Sequence, residues 1–201
     1  MDFFTNMLFT TGSVKAPRKA VVGTEARFLA QQPVTLVLKE HVLSYSGDDF
    51  SIKDLNGVSY FQCKGKYISL HDRKCIYDIY NNPIITVKEK ISIKFKQTLI
   101  DPKSKQKIAN IKKPLFYHKT LIVKFFNKTT NKKEVITVRN DLMALSSGIY
   151  YDNVMIGRII KKFDVKTLFT NKDSYLLEIA PNVDMALMVA LAIIFDEFKY
   201  D

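Results

Sequence analysis

The stretch Pro181-Asn182-Val183-Asp184-Met185-Ala186-Leu187-Met188-Val189-Ala190-Leu191-Ala192-Ile193-Ile194-Phe195-Asp196-Glu197 decides the fold. From Met185 to Phe195 it contains no polar side chain. Asn182, following Pro181, is a good N-cap, and Asp184 puts a carboxylate in the first turn, at the positive end of the helix dipole. The spacing predicts a helix over 182–198. A helix that is apolar all round must be buried all round, in protein or in lipid.

Length separates those two environments. Eleven residues rise about 16 Å at 1.5 Å each, roughly half of a ~30 Å hydrocarbon core. Asp184 at one end and Asp196-Glu197 at the other would be drawn into the bilayer. The sequence therefore predicts no transmembrane segment. It predicts a helix threaded through a β barrel, with the small Ala186, Ala190 and Ala192 letting strands come close.

Strand signals precede the helix. Apolar and polar residues alternate in Val34-Thr35-Leu36-Val37-Leu38-Lys39, Phe50-Ser51-Ile52-Lys53, Ile91-Ser92-Ile93-Lys94-Phe95-Lys96 and Leu121-Ile122-Val123-Lys124-Phe125. Period-two alternation gives each strand a core face and a water face. Turn signals separate these runs: Ser46-Gly47-Asp48-Asp49, Asn56-Gly57, Asn81-Asn82-Pro83, Asp101-Pro102, Asn127 to Lys133, Ser146-Ser147-Gly148 and Asn171-Lys172-Asp173. Asn56-Gly57 reads as a type I′ hairpin, whose central residues both need positive φ.

About a dozen short strands at such spacing imply a meander. The expected class is mainly β (α+β). Residues 33–201 are expected to form one antiparallel closed barrel of about twelve strands around the buried helix. Residues 1–32 lack periodicity and read as a mobile N-terminal arm.

The chain has 201 residues, 47% hydrophobic and 25% charged, enough apolar content for a sizeable core. Cys63 and Cys75 are too few for a disulfide framework or a structural zinc site and read as buried reduced thiols. No cofactor and no metal site is expected. Met1-Asp2-Phe3-Phe4 lacks the basic start and apolar run of a signal peptide, and Asp2 excludes myristoylation. The expected location is cytoplasmic, with peripheral membrane association.

These residues also carry a likeness. Ser69-Leu70-His71-Asp72-Arg73, Asn82 to Lys90, Asp173-Ser174-Tyr175 and Ala180 to Leu187 resemble the LURP-one-related (LOR) family of the tubby C-terminal-like group. That group also includes the phospholipid scramblases. The opening Pro33-Val34-Thr35-Leu36 and Asp54-Leu55-Asn56-Gly57 fall in the expected order, so the likeness covers about residues 20–198. It implies a twelve-stranded barrel wrapped around a hydrophobic C-terminal helix. It also implies phosphoinositide binding as in tubby-like relatives, or a part in defence signalling as in plant members. A second Ser-x-His-Asp-Arg-like element, common in the family, is replaced here by Ser92-Ile93-Lys94-Phe95-Lys96.

Charge points the same way. The formal net charge is +11, and residues 88–133 hold fourteen lysines against two acids, Glu89 and Asp101. That one segment exceeds the whole chain's surplus. On a single strand over 88–96, Lys88, Lys90, Lys94 and Lys96 share one parity and Ile91, Ile93 and Phe95 the other. The four lysines are the candidate lipid-binding residues, each contributing roughly 1 kcal/mol near an anionic lipid surface. The plainer reading is a solvated face that keeps the barrel soluble and its edges unpaired.

His71-Asp72-Arg73 is the one cluster with a catalytic flavour. Adjacent strand residues point to opposite faces, so the three read as a structural turn. No P-loop, GxGxxG, HExxH or GxSxG motif is present, and the chain is not expected to be an enzyme. Partners follow in order: an anionic phospholipid or phosphoinositide membrane surface, then an unknown protein in a signalling or defence scaffold. Scramblase-like lipid transfer ranks below both. Nucleic acid comes last, since Trp is absent and no binding motif is seen.

Overall fold

The computed structural model describes residues 13–40, 49–65, 72–89, 96–114, 120–140, 146–160 and 174–198. Among them lie twelve strands. They are β1 (Val34–Glu40), β2 (Phe50–Asp54), β3 (Ser59–Gly65), β4 (Asp72–Asp78), β5 (Pro83–Glu89) and β6 (Lys96–Ile100). There follow β7 (Lys107–Lys112), β8 (Thr120–Asn127), β9 (Lys132–Asn140), β10 (Ser146–Tyr151), β11 (Val154–Ile160) and β12 (Ser174–Ile179). Each pairs antiparallel with its sequence neighbours, and β1 pairs with β12, which closes the barrel. Closure leaves no edge strand.

Register carries the core. Ile52 lies opposite Phe61, Cys63 opposite Ile76, Ile76 opposite Ile85, Val87 opposite Leu99 and Val123 opposite Ile136. All are buried. One parity of every strand thus points inward, and the α-helix α1 (Met185–Glu197) fills the space. Every residue from Ala186 to Phe195 is at most 1% exposed. The expected barrel around a buried helix is what forms. Among the described residues, no helix is long and apolar enough to cross a membrane.

Several local expectations change. The helix cap is Asp184, not Asn182: Asp184 is extended and its carboxylate accepts from the Leu187 N–H. Asn182 instead adopts φ +63°, turning the chain out of β12. Asn56-Gly57 is not type I′. Only Gly57 has positive φ (+86°), and its N–H donates to the Asp54 carbonyl, giving a type I turn completed by a left-handed glycine. Asp152-Asn153, with φ of +49° and +60°, supplies the two consecutive left-handed residues that type I′ requires. Ser146-Ser147-Gly148 lies inside β10, where Gly148 makes room for the Tyr150 ring: an added Cβ would sit 2.4 Å from it.

Residues 1–12 of the N-terminal arm lie outside the described residues. Its described part, residues 13–32, packs across the barrel end where α1 begins, and Val21 and Ala30 are buried there. The β12–α1 link runs between them. The Val21 N–H donates to the Asn182 carbonyl and the Asp184 N–H to the Val21 carbonyl, at 2.9 Å each. On the other side, the Ala30 N–H donates to the Val183 carbonyl and the Asn182 N–H to the Ala30 carbonyl. The backbone of the link, which would otherwise lie unpaired at the barrel mouth, is thereby satisfied.

Candidate functional site

Lys88 and Lys96 do not share a strand. Lys88 is the sixth residue of β5 and Lys96 opens β6, because the chain reverses between them. Spacing along the sequence is then not spacing along one strand. Lys90 and Lys94 lie outside the described residues. Parity nevertheless holds for the two that are seen: Val87 and Leu99 point inward, so Lys88 and Lys96 point outward from adjacent strands.

The register builds a wider surface around them. One outward row reads Lys88, Thr98, Asn110, Lys124 and Val135 across β5 to β9. A second places Lys96 directly opposite Lys112. Beyond these rows, Lys107 lies opposite Ile100 across a register shift, and Lys133 lies opposite Phe126. With Arg139, stacked on Tyr150, seven basic side chains occupy outward positions of the described parts of β5–β9. Their two acids, Glu89 and Glu134, occupy inward positions. Like charges directly opposite one another, as at Lys96 and Lys112, cost stability. Sequence reading counted these lysines but could not say which strands are neighbours.

A cleft of about 730 Å³ opens at the α1-entry side of this wall, bordered by Thr24, Lys107, Lys124, Phe126, Lys128 and Lys133. Its acids are engaged elsewhere. The Asp101 carboxylate accepts from the N–H groups of Lys103 and Ser104 in its own turn, and Glu25 pairs with Arg27 at 2.8 Å. Burial raises the Asp101 pKa, but these hydrogen bonds and Lys128 outweigh it and hold the carboxyl below its usual range. Lys128 donates to the Thr24 carbonyl. Positive charge predominates in the cleft.

Beside it sits a polar cluster. The Glu134 carboxylate accepts from Tyr151 Oη (2.7 Å), Asn127 Nδ2 (2.7 Å) and Thr130 Oγ1 (2.8 Å). Burial pushes its pKa up, but the three donors more than compensate and leave it below the ordinary 4.5. Burial, together with Glu134, pushes the Tyr151 phenol up to about 12. Asn127, fully buried, also donates to the Ala20 carbonyl and accepts from the Val22 N–H, so the cluster ties the arm to β8 and β9. It is a brace. Because the folded-state pKa of Glu134 is depressed, its contribution is present above pH 4.5 and is lost as pH falls through the folded value. Glu134→Gln is expected to cost about 1–2 kcal/mol at pH 7. In urea melts from pH 7 to 3, the gap to the unsubstituted protein should close.

His71 lies outside the described residues, while Asp72 and Arg73 open β4, with a register irregularity between Asp72 and Lys74. Among the described residues, no group of three or more His, Cys, Asp or Glu could hold a metal ion. Cys63 and Cys75 are buried thiols.

The profile of the LURP-one-related family matches residues 34–196, from the first strand to the end of the helix. Protein LURP-one-related 15 of Arabidopsis thaliana is 22% identical over 90% of this chain and 87% of its own length. Protein LURP-one-related 13 of the same plant is 26% identical over 88% of each chain. An X-ray structure of another Arabidopsis thaliana protein superposes with a TM-score of 0.62 at 18% identity, covering 89% of this chain and 98% of that one. A profile match spanning the barrel and its helix assigns the chain: it belongs to the LURP-one-related family.

Proposed function

We propose that this protein is a non-enzymatic barrel that binds anionic membrane lipid through the outer wall of β5–β9, phosphoinositides offering the highest charge per headgroup. One observation carries the reading: seven outward basic side chains stand on the described parts of that wall, with no outward carboxylate. Such a face concentrates positive potential that attracts a polyanionic surface. Each lysine at an anionic bilayer contributes about 1 kcal/mol, so several weak contacts together give association that salt reverses. Lys124, on β8, and Lys133, on β9, both border the cleft. Reversing both, Lys124→Glu with Lys133→Glu, removes about 2 kcal/mol of attraction and adds repulsion. A loss of at least about 30-fold in vesicle affinity follows.

Co-sedimentation with phosphatidylserine-containing vesicles at low and high salt measures this. Equal pelleting with neutral and anionic vesicles, or no response to the double reversal, would overturn the proposal.

A further inference from the structure

Apolar exposure on this protein is not scattered. Among the described residues, four of the six exposed large hydrophobic side chains occupy two hairpin tips. Leu55 and Val58, in the β2–β3 turn, are 52% and 57% exposed, and Ile79 and Tyr80, in the β4–β5 turn, 53% and 76%. Strands β3 and β4 pair directly, with Phe61 opposite Asp78, so the tips stand side by side at the barrel end where α1 begins.

The two tips are built alike. In the first, Asp54 Oδ1 accepts from the N–H groups of Asn56 and Val58, and the Asp54 carbonyl accepts from Gly57. In the second, Asp78 Oδ1 accepts from Tyr80 and Asn82, and the Asp78 carbonyl from Asn81. Each aspartate thus satisfies three N–H groups of its own tip. Entering a water-poor layer is costly chiefly for unpaired polar backbone, and pairing these donors lowers that cost. Tyrosine also favours the boundary between headgroups and acyl chains.

The next two tips around the same rim are basic. Lys103 and Lys105 stand in the β6–β7 turn, and Lys128 and Lys132 flank the β8–β9 turn, all exposed. Apolar tips beside cationic tips are complementary to the boundary of an anionic bilayer, where hydrocarbon lies beneath negative headgroups.

We propose that this rim is the membrane-docking end. Leu55, Val58, Ile79 and Tyr80 enter the headgroup–acyl boundary while Lys103, Lys105, Lys128 and Lys132 meet the headgroups. The inference rests on the anionic-membrane reading and adds an orientation to it. The barrel tilts onto its helix-entry end, bringing Lys107 and Lys133 of the wall down with the tips.

The chain contains no tryptophan, so Tyr80→Trp supplies a single reporter indole. With vesicles of phosphatidylserine and acyl-brominated phosphatidylcholine, its emission should shift to the blue and be quenched by the bromines. Val135→Trp, on the wall and 46% exposed in the native residue, should respond much less. Leu55→Ser combined with Ile79→Ser should lower vesicle affinity about tenfold without changing its salt dependence. If the protein pellets with these vesicles while Tyr80→Trp stays unshifted and unquenched, the docking end is overturned and the membrane reading survives. The tips would then serve a protein partner. If Val135→Trp is quenched more strongly than Tyr80→Trp, the barrel lies on its side and the inference fails. If nothing pellets at low salt, both proposals fall together.

Discussion

Asp184→Ala is expected to destabilise the protein by roughly 4–6 kcal/mol, a large fraction of what a domain of this size holds in reserve. The carboxylate is fully buried and both oxygens are in use. Oδ1 accepts from the Leu187 N–H and caps α1. Oδ2 accepts from the N–H groups of Gly23 and Thr24 and from Thr24 Oγ1, at 3.0, 2.7 and 2.7 Å. Alanine would strand four donors where water does not reach. Losing the cap costs about 1–2 kcal/mol, and each further orphaned donor adds a penalty of similar size. Asp184→Asn keeps one acceptor oxygen of the two, so a smaller loss of about 2–3 kcal/mol is expected.

The pH dependence gives a second readout. Burial raises the Asp184 pKa above the ordinary 3.8, and its hydrogen bonds with Leu187, Thr24 and Gly23 offset only part of that. The folded state then holds this proton more tightly than the unfolded chain. The ionised group's penalty is absent below pH 3.8 and grows as pH rises to the folded-state value. Asp184→Asn should remove that slope. Urea melts followed by circular dichroism at pH 5 and 7.5 check both claims. An alanine variant within 1 kcal/mol of the parent would mean that the arm does not depend on this residue.

Asp184 also shows how far sequence reading reached. An eleven-residue apolar run between acids predicts a buried helix because an unbroken apolar run of limited length is a local signal. The cap did not follow, since Asn182 and Asp184 are both good capping residues and the choice between them is made by Val21 and Ala30, more than 150 residues away. The lysines behaved in the same way. Lys88 and Lys96 face outward on two antiparallel strands, not on the single strand over 88–96 along which their parity is read. That Lys96 meets Lys112, and that Lys124 and Lys133 converge on one cleft, depends on strand pairing, which a single sequence does not encode in any short window. The docking tips fell between these cases. Asp54-Leu55-Asn56-Gly57 announces a turn, but only the structure shows that Asp54 and Asp78 close their turns identically and hold Leu55, Val58, Ile79 and Tyr80 out in solvent.

Phe195→Ala is the other substitution with a large expected effect, about 3–5 kcal/mol. Phe195 is fully buried in the last part of α1, and its ring lies 5.8 Å from that of Phe198. Phe198 in turn carries Lys113 Nζ at 5.0 Å from its ring centre, so the pair closes the barrel's far end. In a layered core, neighbouring elements slide together and recover part of such a loss. This wall is a closed ring of twelve hydrogen-bonded strand pairs around one helix, and moving a strand inward would break ladder bonds on both sides. The cavity should therefore remain, placing the cost at the upper end of the range. The same constraint acts against expansion: Ala190→Leu, at a fully buried position, should cost about 1–3 kcal/mol even though it adds apolar volume. Thermal and urea melts of the two variants test the idea from opposite sides. A neutral or stabilising Ala190→Leu would show that the barrel can swell and that its helix is a loose filling rather than a fitted core.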